Sequence, residues 1–154
     1  DDEGINFGPL ISKEHQSKVL QYYNLAKELG ANVIIGGGVP EMKEAYLNGS
    51  WVQPTIWTGL SDDSPIMREE IFGPCCHISP FDDEDEVIER ANDTVYGLTS
   101  SVWTENLSKA HRVAGQIESG VVWVNSWFLR DLRTAFGGSK QSGIGTCAQP
   151  GSKS

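Results

Sequence analysis

The residues best suited to chemistry lie at positions 69–74, which read Glu-Glu-Ile-Phe-Gly-Pro. Two carboxylates and one large aromatic ring occur at fixed offsets, followed by a rigid Gly-Pro turn and an apolar run at residues 75–78. Polar group, flat ring and rigid turn in this order suit a site that orients a cofactor ring. The alternative is a surface turn with two solvated carboxylates and Phe72 in the core, because most acidic side chains are simply exposed. These residues alone favour the surface turn.

Two cations form a second candidate, because Arg130 and Arg133 lie in the apolar segment 126–135 that follows the run 121–124. A guanidinium group is always charged and binds carboxylates through a bidentate fork. If residues 121–124 form a parallel strand, this segment falls at its carboxyl end, where ligand-binding loops concentrate. The two arginines could then select an anionic substrate. Equally, one or both could pair with Asp131 or with solvent, and the sequence leaves both alternatives open.

An amphipathic helix precedes the acidic motif. Ser12 is a suitable N-cap, and apolar residues then recur at three- and four-residue steps until Gly30 ends the pattern. Residues 33–35 form a short β-branched run that predicts a strand, and the three glycines after it predict a turn. Residues 51–57 alternate large and polar side chains but contain Pro54, so they predict an edge strand or an irregular segment.

From residue 75 onward the pattern becomes regular, with apolar strands alternating with capped helices. The strands are expected at residues 75–79, 99–103 and 121–124, and the helices are expected to begin after the caps Asp82 and Asn106. Short strands alternating with helices are typical of a right-handed parallel α/β unit. We therefore expect an α/β protein with a doubly wound parallel sheet, in which residues 92–98 form a loop.

Other motifs that look like binding sites fail on their spacing or context. Residues 137–140, Gly-Gly-Ser-Lys, lack the spacing of a P-loop, and the glycine pattern at 143–148 has neither a strand before it nor a helix after it. Residues 75–77, Cys-Cys-His, offer metal-ligand types, but neighbouring side chains on a strand point to opposite faces. His15 and His111 lie on helix patterns and are expected at the surface. The sequence therefore predicts no metal site and no nucleophile–base set.

Composition excludes several classes of partner. The chain has 154 residues, a net charge of −9 and a pI of about 4.7, so no nucleic-acid partner is expected. No run approaches the ~18 consecutive apolar residues of a membrane span, so no membrane partner is expected either. Three cysteines, two of them adjacent, argue against a disulfide framework and for a reducing, cytoplasmic compartment. The chain begins Asp-Asp-Glu-Gly without an initiating Met, which favours a fragment of a longer protein.

Several motifs taken together resemble one family. Residues 69–74, the segment 92–98 ending Tyr-Gly-Leu, Val-Trp-Val-Asn at 122–125 and Phe-Gly-Gly-Ser-Lys-x-Ser-Gly at 136–143 occur in the order seen in aldehyde dehydrogenases. The similarity covers nearly the whole chain, from Gly8 to Gly145. Within the family, the loop 127–133 resembles that of the semialdehyde dehydrogenases of the 2-aminomuconate and 2-hydroxymuconate type, whose substrates carry carboxylates.

The resemblance implies an NAD-dependent enzyme, with NADP as the alternative, that oxidises a small carboxylated aldehyde to the acid through a covalent thioester. By position, Glu70 matches the carboxylate that hydrogen-bonds the nicotinamide ribose, and Phe72 matches the ring beside the nicotinamide. Arg130 is expected to clamp the substrate carboxylate, with Arg133 as the second candidate. Phe136 matches an aromatic residue that lines the aldehyde tunnel. A homo-oligomer is implied for the parent enzyme.

The resemblance is also partial. Residues 1–145 are expected to form part of an aldehyde dehydrogenase catalytic domain, and residues 146–154 a divergent, disordered tail. In the family, the nucleophilic Cys, the general-base Glu, the oxyanion Asn and the dinucleotide-binding domain lie upstream of the matching region, so this chain alone is expected to be inactive. Ala135 stands where the family usually has Pro. The alternative role is a non-catalytic truncated isoform that binds full-length subunits or another partner.

Overall fold

A computed structural model describes residues 7–131 and 133–144 of the chain. The chain divides into two compact units, Asp1–Pro80 and Phe81–Ser154. The tail predicted at residues 146–154, including Cys147, lies outside the described residues. Within the described part, no helix combines the length and the apolar character that crossing a membrane requires.

The first unit places two helices beside a three-stranded sheet. Its elements are helix α1 (Lys13–Glu28), strand β1 (Asn32–Ile35), a short 3-10 helix (Glu44–Tyr46), strand β2 (Thr55–Thr58), helix α2 (Pro65–Arg68) and strand β3 (Cys75–His77). The strand order is β1-β2-β3, with β1 antiparallel to β2 and β2 parallel to β3. The sheet is therefore mixed.

Helix α1 forms as its sequence predicts. The Ser12 hydroxyl accepts a hydrogen bond from the backbone N–H of His15, and the positive φ of Gly30, 89°, follows the last turn. The buried face of α1 packs into a core shared with the sheet and α2. That core consists of Val19, Tyr23, Ala26, Val52, Trp57, Ile66 and Ile71.

Two expectations about this sheet need correction. Residues 51–57 are expected to form an edge strand or an irregular segment; residues 51–54 are irregular, but Thr55–Thr58 form β2, which is the central strand and not an edge. Pro54 lies one residue ahead of β2, so no ladder donor is lost, and the N–H of Thr55 donates to the carbonyl of Pro74. The strand expected to be buried at residues 75–79 is shorter, and its Cys76 is exposed because it points to the opposite face of β3 from the half-buried Cys75 and His77.

The second unit contains one parallel and one antiparallel strand pair. Its elements are helix α3 (Glu84–Asn92), strand β4 (Tyr96–Gly97), strand β5 (Thr99–Val102), helix α4 (Leu107–Gln116), strand β6 (Val121–Val124) and strand β7 (Ser139–Lys140). Strand β5 runs parallel to β6, with α4 connecting them, and β4 is antiparallel to β7. The chain is therefore an α/β protein with parallel strand pairs, as the sequence predicts.

Some details of the second unit differ from expectation. The β5–α4–β6 connection is confirmed, and Asn106 caps α4. A strand at residues 75–79 is also expected in this α/β unit. In the structure that strand is β3, which lies in the first unit and pairs with β2. The cap of α3 is Asp83 rather than Asp82, whose N–H donates to Glu86 Oε2. The loop expected at residues 92–98 contains β4, which pairs with a segment far along the chain.

Candidate cofactor and substrate sites

The acidic motif at residues 69–74 is held by one side of helix α1. His15 Nε2 donates to the carbonyl oxygen of Phe72 at 2.8 Å, and Lys18 Nζ donates to the carbonyl oxygen of Glu70 at 3.2 Å. One turn further along, the Tyr22 hydroxyl donates to Glu69 Oε2 at 2.6 Å. Side chains spaced by three and four residues share one side of a helix, so these bonds act together.

Close packing fixes the same motif from beneath. A Cβ on Gly73 would lie 2.9 Å from both methyl groups of Val19, which is fully buried. The Tyr23 hydroxyl, from the next turn of α1, lies 3.0 Å from the carbonyl oxygen of Gln53 and 3.3 Å from that of Pro74, so its one proton is shared between these two acceptors. Burial raises the pKa of this hydroxyl above its ordinary value. Because Gly73 has no side chain, residues 69–74 can pack closely against helix α1.

The two adjacent carboxylates have different surroundings. Glu69 accepts the Tyr22 hydroxyl, whereas the Glu70 carboxylate is exposed and accepts no hydrogen bond from residues 7–131 or 133–144. Phe72 is 74% exposed and has a φ of 56°, so it does not lie in the core as the surface-turn interpretation expected. An uncommitted carboxylate beside an exposed flat ring could accept hydrogen bonds from the hydroxyl groups of a ligand and pack against its ring.

A hollow of about 320 Å³ lies beside the motif, and its lining includes Glu69, Phe72, Cys75 and His77. Burial, and secondarily the neighbouring thiol, raises the pKa of Cys75 to about 11. A nucleophilic thiol needs the opposite shift, so the environment of Cys75 is that of a structural thiol.

His77 Nε2 accepts a hydrogen bond from the N–H of Leu60 at 3.1 Å. In the neutral ring the proton is therefore on Nδ1, which faces Ser79 Oγ at 2.9 Å. In the described part of the chain, no cluster of His, Cys, Asp and Glu could hold a metal ion.

The start of the arginine loop is held by an aromatic cluster. Trp123 of β6 is buried, and its indole N–H donates to the carbonyl of Leu129 at 2.9 Å. The ring of Trp123 lies 5.5 Å from that of Trp127 in an edge-on arrangement and 6.4 Å from that of Phe128. The Ser101 hydroxyl also donates to the carbonyl of Ser126 at 2.7 Å. The loop is thereby anchored to the ends of both parallel strands.

The two arginines are engaged differently. The Arg130 guanidinium lies 4.4 Å from the ring centre of Phe136 and 5.4 Å from that of Phe128. Arg133 forms an ion pair with Asp131, with 2.5 Å between Nη2 and Oδ2 and 3.0 Å between Nε and Oδ1. These hydrogen bonds hold the pKa of Asp131 below its usual value and raise that of Arg133. For Arg133, the structure thus shows the carboxylate pairing that the sequence left open.

Arg130 borders a pocket that could receive an anion. The pocket has a volume of about 360 Å³, and its lining combines apolar side chains such as Trp123 and Phe136 with Arg130, Asp131 and Thr134. Among the described residues, the Arg130 guanidinium has no carboxylate partner. A cation stacked on an aromatic ring keeps its hydrogen-bonding edge available for a carboxylate. The Arg130 guanidinium could therefore bind a carboxylate at this mostly apolar pocket, where the one lining carboxylate, Asp131, is already paired with Arg133.

The glycine- and serine-rich segment after Phe136 is structural. A Cβ on Gly120 would lie 1.8 Å from the carbonyl oxygen of Gly137, so only glycine permits this contact. Lys140 Nζ donates to the carbonyl of Asn92 at 2.5 Å and forms an ion pair with Glu118 at 2.8 Å. These contacts fix the segment to the ends of α3 and α4 and thereby position Phe136.

The structure places the residues predicted for cofactor binding, Glu70 and Phe72, in the first unit, and Arg130, Arg133 and Phe136 in the second. Within the second unit it brings Arg130 and Phe136 together. Sequence reasoning missed the side chains of α1 that hold the acidic motif. Their spacing on one side of a helix was visible, but their partners lie far away along the chain.

Comparison with known proteins shows the family. The model of the aldehyde dehydrogenase family matches residues 1–153. A 2-hydroxymuconic semialdehyde dehydrogenase of Pseudomonas sp. (strain CF600) is 67% identical over 145 residues, which cover 94% of this chain and 30% of that protein. A 2-aminomuconic 6-semialdehyde dehydrogenase of Pseudomonas sp. is 59% identical over 138 residues, covering 90% of this chain and 28% of the relative.

A solved structure agrees with this result. The NAD+ complex of an aldehyde dehydrogenase from Bacillus cereus has a TM-score of 0.87 and 44% identity, covering 94% of this chain and 28% of that chain. The chain thus spans less than a third of the length of the relatives that it matches. On the strength of the family match and the shared fold, the chain belongs to the aldehyde dehydrogenase family.

Proposed function

We propose that this chain is part of an NAD-dependent aldehyde dehydrogenase that oxidises a carboxylated, muconate-type semialdehyde to the acid. The observation that carries the proposal is the Arg130 guanidinium, which is stacked on Phe136 at a mostly apolar pocket and is unpaired with any described carboxylate. The two semialdehyde dehydrogenases among its relatives support the substrate class. Arg130 would bind the substrate carboxylate, and Phe136 would line the path of the aldehyde. Arg133 is a weaker candidate, because it would have to exchange Asp131 for the substrate.

The proposed cofactor is NAD, with NADP as the alternative. When bound, the cofactor accepts a hydride from the substrate. Glu70 would accept hydrogen bonds from the nicotinamide ribose, and Phe72 would lie against the nicotinamide ring; both side chains are exposed for this purpose. Such residues contribute positioning, which can determine a large part of a reaction rate. The family resemblance also supports a homo-oligomeric, cytoplasmic parent enzyme, and both points remain proposals.

Turnover is proposed to need residues beyond this chain. Of the thiols in the described part, Cys75 has a pKa raised to about 11, which disfavours the thiolate required for covalent catalysis. The expected result is no aldehyde-dependent NADH formation by the purified 154-residue chain. Turnover by this chain at a rate typical of the family would refute the proposal.

Substrate selection by Arg130 is tested in the whole protein that carries this chain. Arg130→Ala should lower kcat/KM for a carboxylated aldehyde about 30-fold to 100-fold, the range of a lost charge-assisted hydrogen bond. A neutral aldehyde of the same length should lose far less. Arg133→Ala is the matched control, and a smaller loss is expected because Asp131 already engages Arg133. Equal losses for charged and neutral aldehydes would show that Arg130 is structural.

A further inference from the structure

Phe72 has a backbone conformation that its own side chain does not explain. Its φ of 56° lies in the left-handed region, which bulky L-residues rarely adopt. Its ring is 74% exposed, so the burial of that ring does not compensate for the strained backbone. The buried neighbour Ile71 and the close-packed Gly73 fix the chain on either side. The direction of the Phe72 ring therefore depends on what binds the backbone of this residue.

The backbone of Phe72 is bound by His15. Its carbonyl oxygen accepts the hydrogen bond from His15 Nε2 at 2.8 Å, and the two rings lie 6.1 Å apart in a tilted arrangement. His15 is itself fixed, because its backbone N–H donates a hydrogen bond to the hydroxyl of the N-cap Ser12 at 3.1 Å, in the first turn of α1. The imidazole thus connects a capped helix end to the one strained residue of the acidic motif.

We propose that His15 is a positioning residue for the cofactor. By holding the Phe72 carbonyl, it keeps Phe72 in the left-handed conformation and directs the exposed ring towards the nicotinamide. This inference rests on the proposed assignment of Phe72 to the cofactor. His15 touches no cofactor atom in this role and acts only through Phe72.

A purely structural role for His15 makes a different prediction. If His15 only stabilised the unit, its loss would weaken NAD binding by the same factor whatever residue occupies position 72. If it acts through Phe72, its effect should disappear when position 72 is glycine. Glycine adopts a positive φ without strain and has no ring to direct. A double-mutant cycle between the two positions therefore separates the two roles.

The variants are His15→Phe, His15→Gln, Phe72→Gly and the pair His15→Phe with Phe72→Gly, made in the whole protein that carries this chain. Phenylalanine keeps a ring at position 15 but removes the donor, whereas glutamine retains an N–H donor. The control is His111→Phe, since His111 is an exposed histidine on α4. The measurements are the Kd for NAD by titration calorimetry, the KM for NAD and kcat, with circular dichroism to establish folding.

His15→Phe should raise the Kd for NAD about tenfold, the upper range for one lost hydrogen bond, and His15→Gln should recover part of that loss. In the Phe72→Gly background, the same His15 substitution should change the Kd less than about twofold. An equal effect in both backgrounds, or none in either, overturns the role of His15 and leaves the cofactor site standing. An unchanged Kd in Phe72→Gly itself overturns the assignment of Phe72 to the cofactor, and the role of His15 falls with it.

Discussion

Cys75 should be almost unreactive towards iodoacetamide near neutral pH, although the adjacent Cys76 is exposed. Burial is the main cause, and the neighbouring Cys76 adds to it, so that the pKa of Cys75 rises from 9.0 to about 11. At pH 8 a thiol with that pKa is about 0.1% thiolate, against about 10% for a thiol with a pKa of 9. Because the thiolate is the reactive form, alkylation should be about 100-fold slower than for an ordinary thiol.

The perturbation that isolates this effect is Cys76→Ser, with Cys75→Ser as the matched variant that reports on Cys76. Alkylation is followed by mass spectrometry of the digested chain between pH 7 and pH 11. Cys76→Ser removes the smaller cause of the shift but leaves burial, so Cys75 should remain slow and react increasingly as the pH rises. In denaturant, both thiols should react at the same rate. Rapid alkylation of folded Cys75 at pH 8 would refute the reasoning that makes it a structural thiol.

Two further predictions concern the second unit. Gly120→Ala should destabilise the chain by about 3 kcal/mol or more, because the new methyl group would collide with the carbonyl oxygen of Gly137. Gly115→Ala on α4 places its methyl group in open space and should stabilise the chain by about 0.5–1 kcal/mol. Urea unfolding of both variants compares these signs, and destabilisation by both would contradict the open space found around Gly115. Hydrogen bonds from Arg112 hold the pKa of the Glu84 carboxyl below its ordinary value. They therefore stabilise the folded chain above the pKa that Glu84 has in the unfolded chain. This stabilisation is lost as the pH falls through the pKa that Glu84 has in the folded chain. Glu84→Gln should therefore lower Tm at pH 7 and not in strong acid, and a pH-independent difference would count against the pair.

Local signals in the sequence located most elements, because their causes lie within a few residues. Ser12 and Asn106 cap helices as predicted, since an N-cap bonds to an N–H three residues away. The central position of β2 could not be predicted, because it depends on pairing with β3 after an intervening helix. The pairing of β4 with β7 depends on an even more distant segment. Sequence position alone does not specify such partners.

Site residues were harder to predict for the same reason. The exposed ring of Phe72 could not be inferred from the local pattern, since an aromatic residue beside an apolar run is ordinarily expected in the core. Only the family resemblance indicates a ring placed beside a cofactor. The residues alone did not determine which of Arg130 and Arg133 pairs with Asp131, because Asp131 lies within reach of either arginine in sequence. Only the family resemblance favours Arg130 as the substrate clamp. Only the geometry shows that Asp131 is bound to Arg133. His15 was expected at the surface because its partner is the carbonyl of a residue far along the chain.

Both candidate sites contain two like charges close together in sequence, and in each the protein engages one of them. Tyr22 binds Glu69 and leaves the Glu70 carboxylate without a described partner. Asp131 binds Arg133, and Arg130 has no described carboxylate partner.

Two like charges that were both uncommitted would repel each other and would compete for one ligand. Asp131 offsets the charge of Arg133, and the neutral Tyr22 hydroxyl occupies Glu69, so each motif keeps one charged group without a described partner. If Glu70 and Arg130 bind ligands as proposed, the side chains that engage Glu69 and Arg133 contribute to specificity without touching a ligand. A duplicated charge in such a motif therefore need not mean two binding residues.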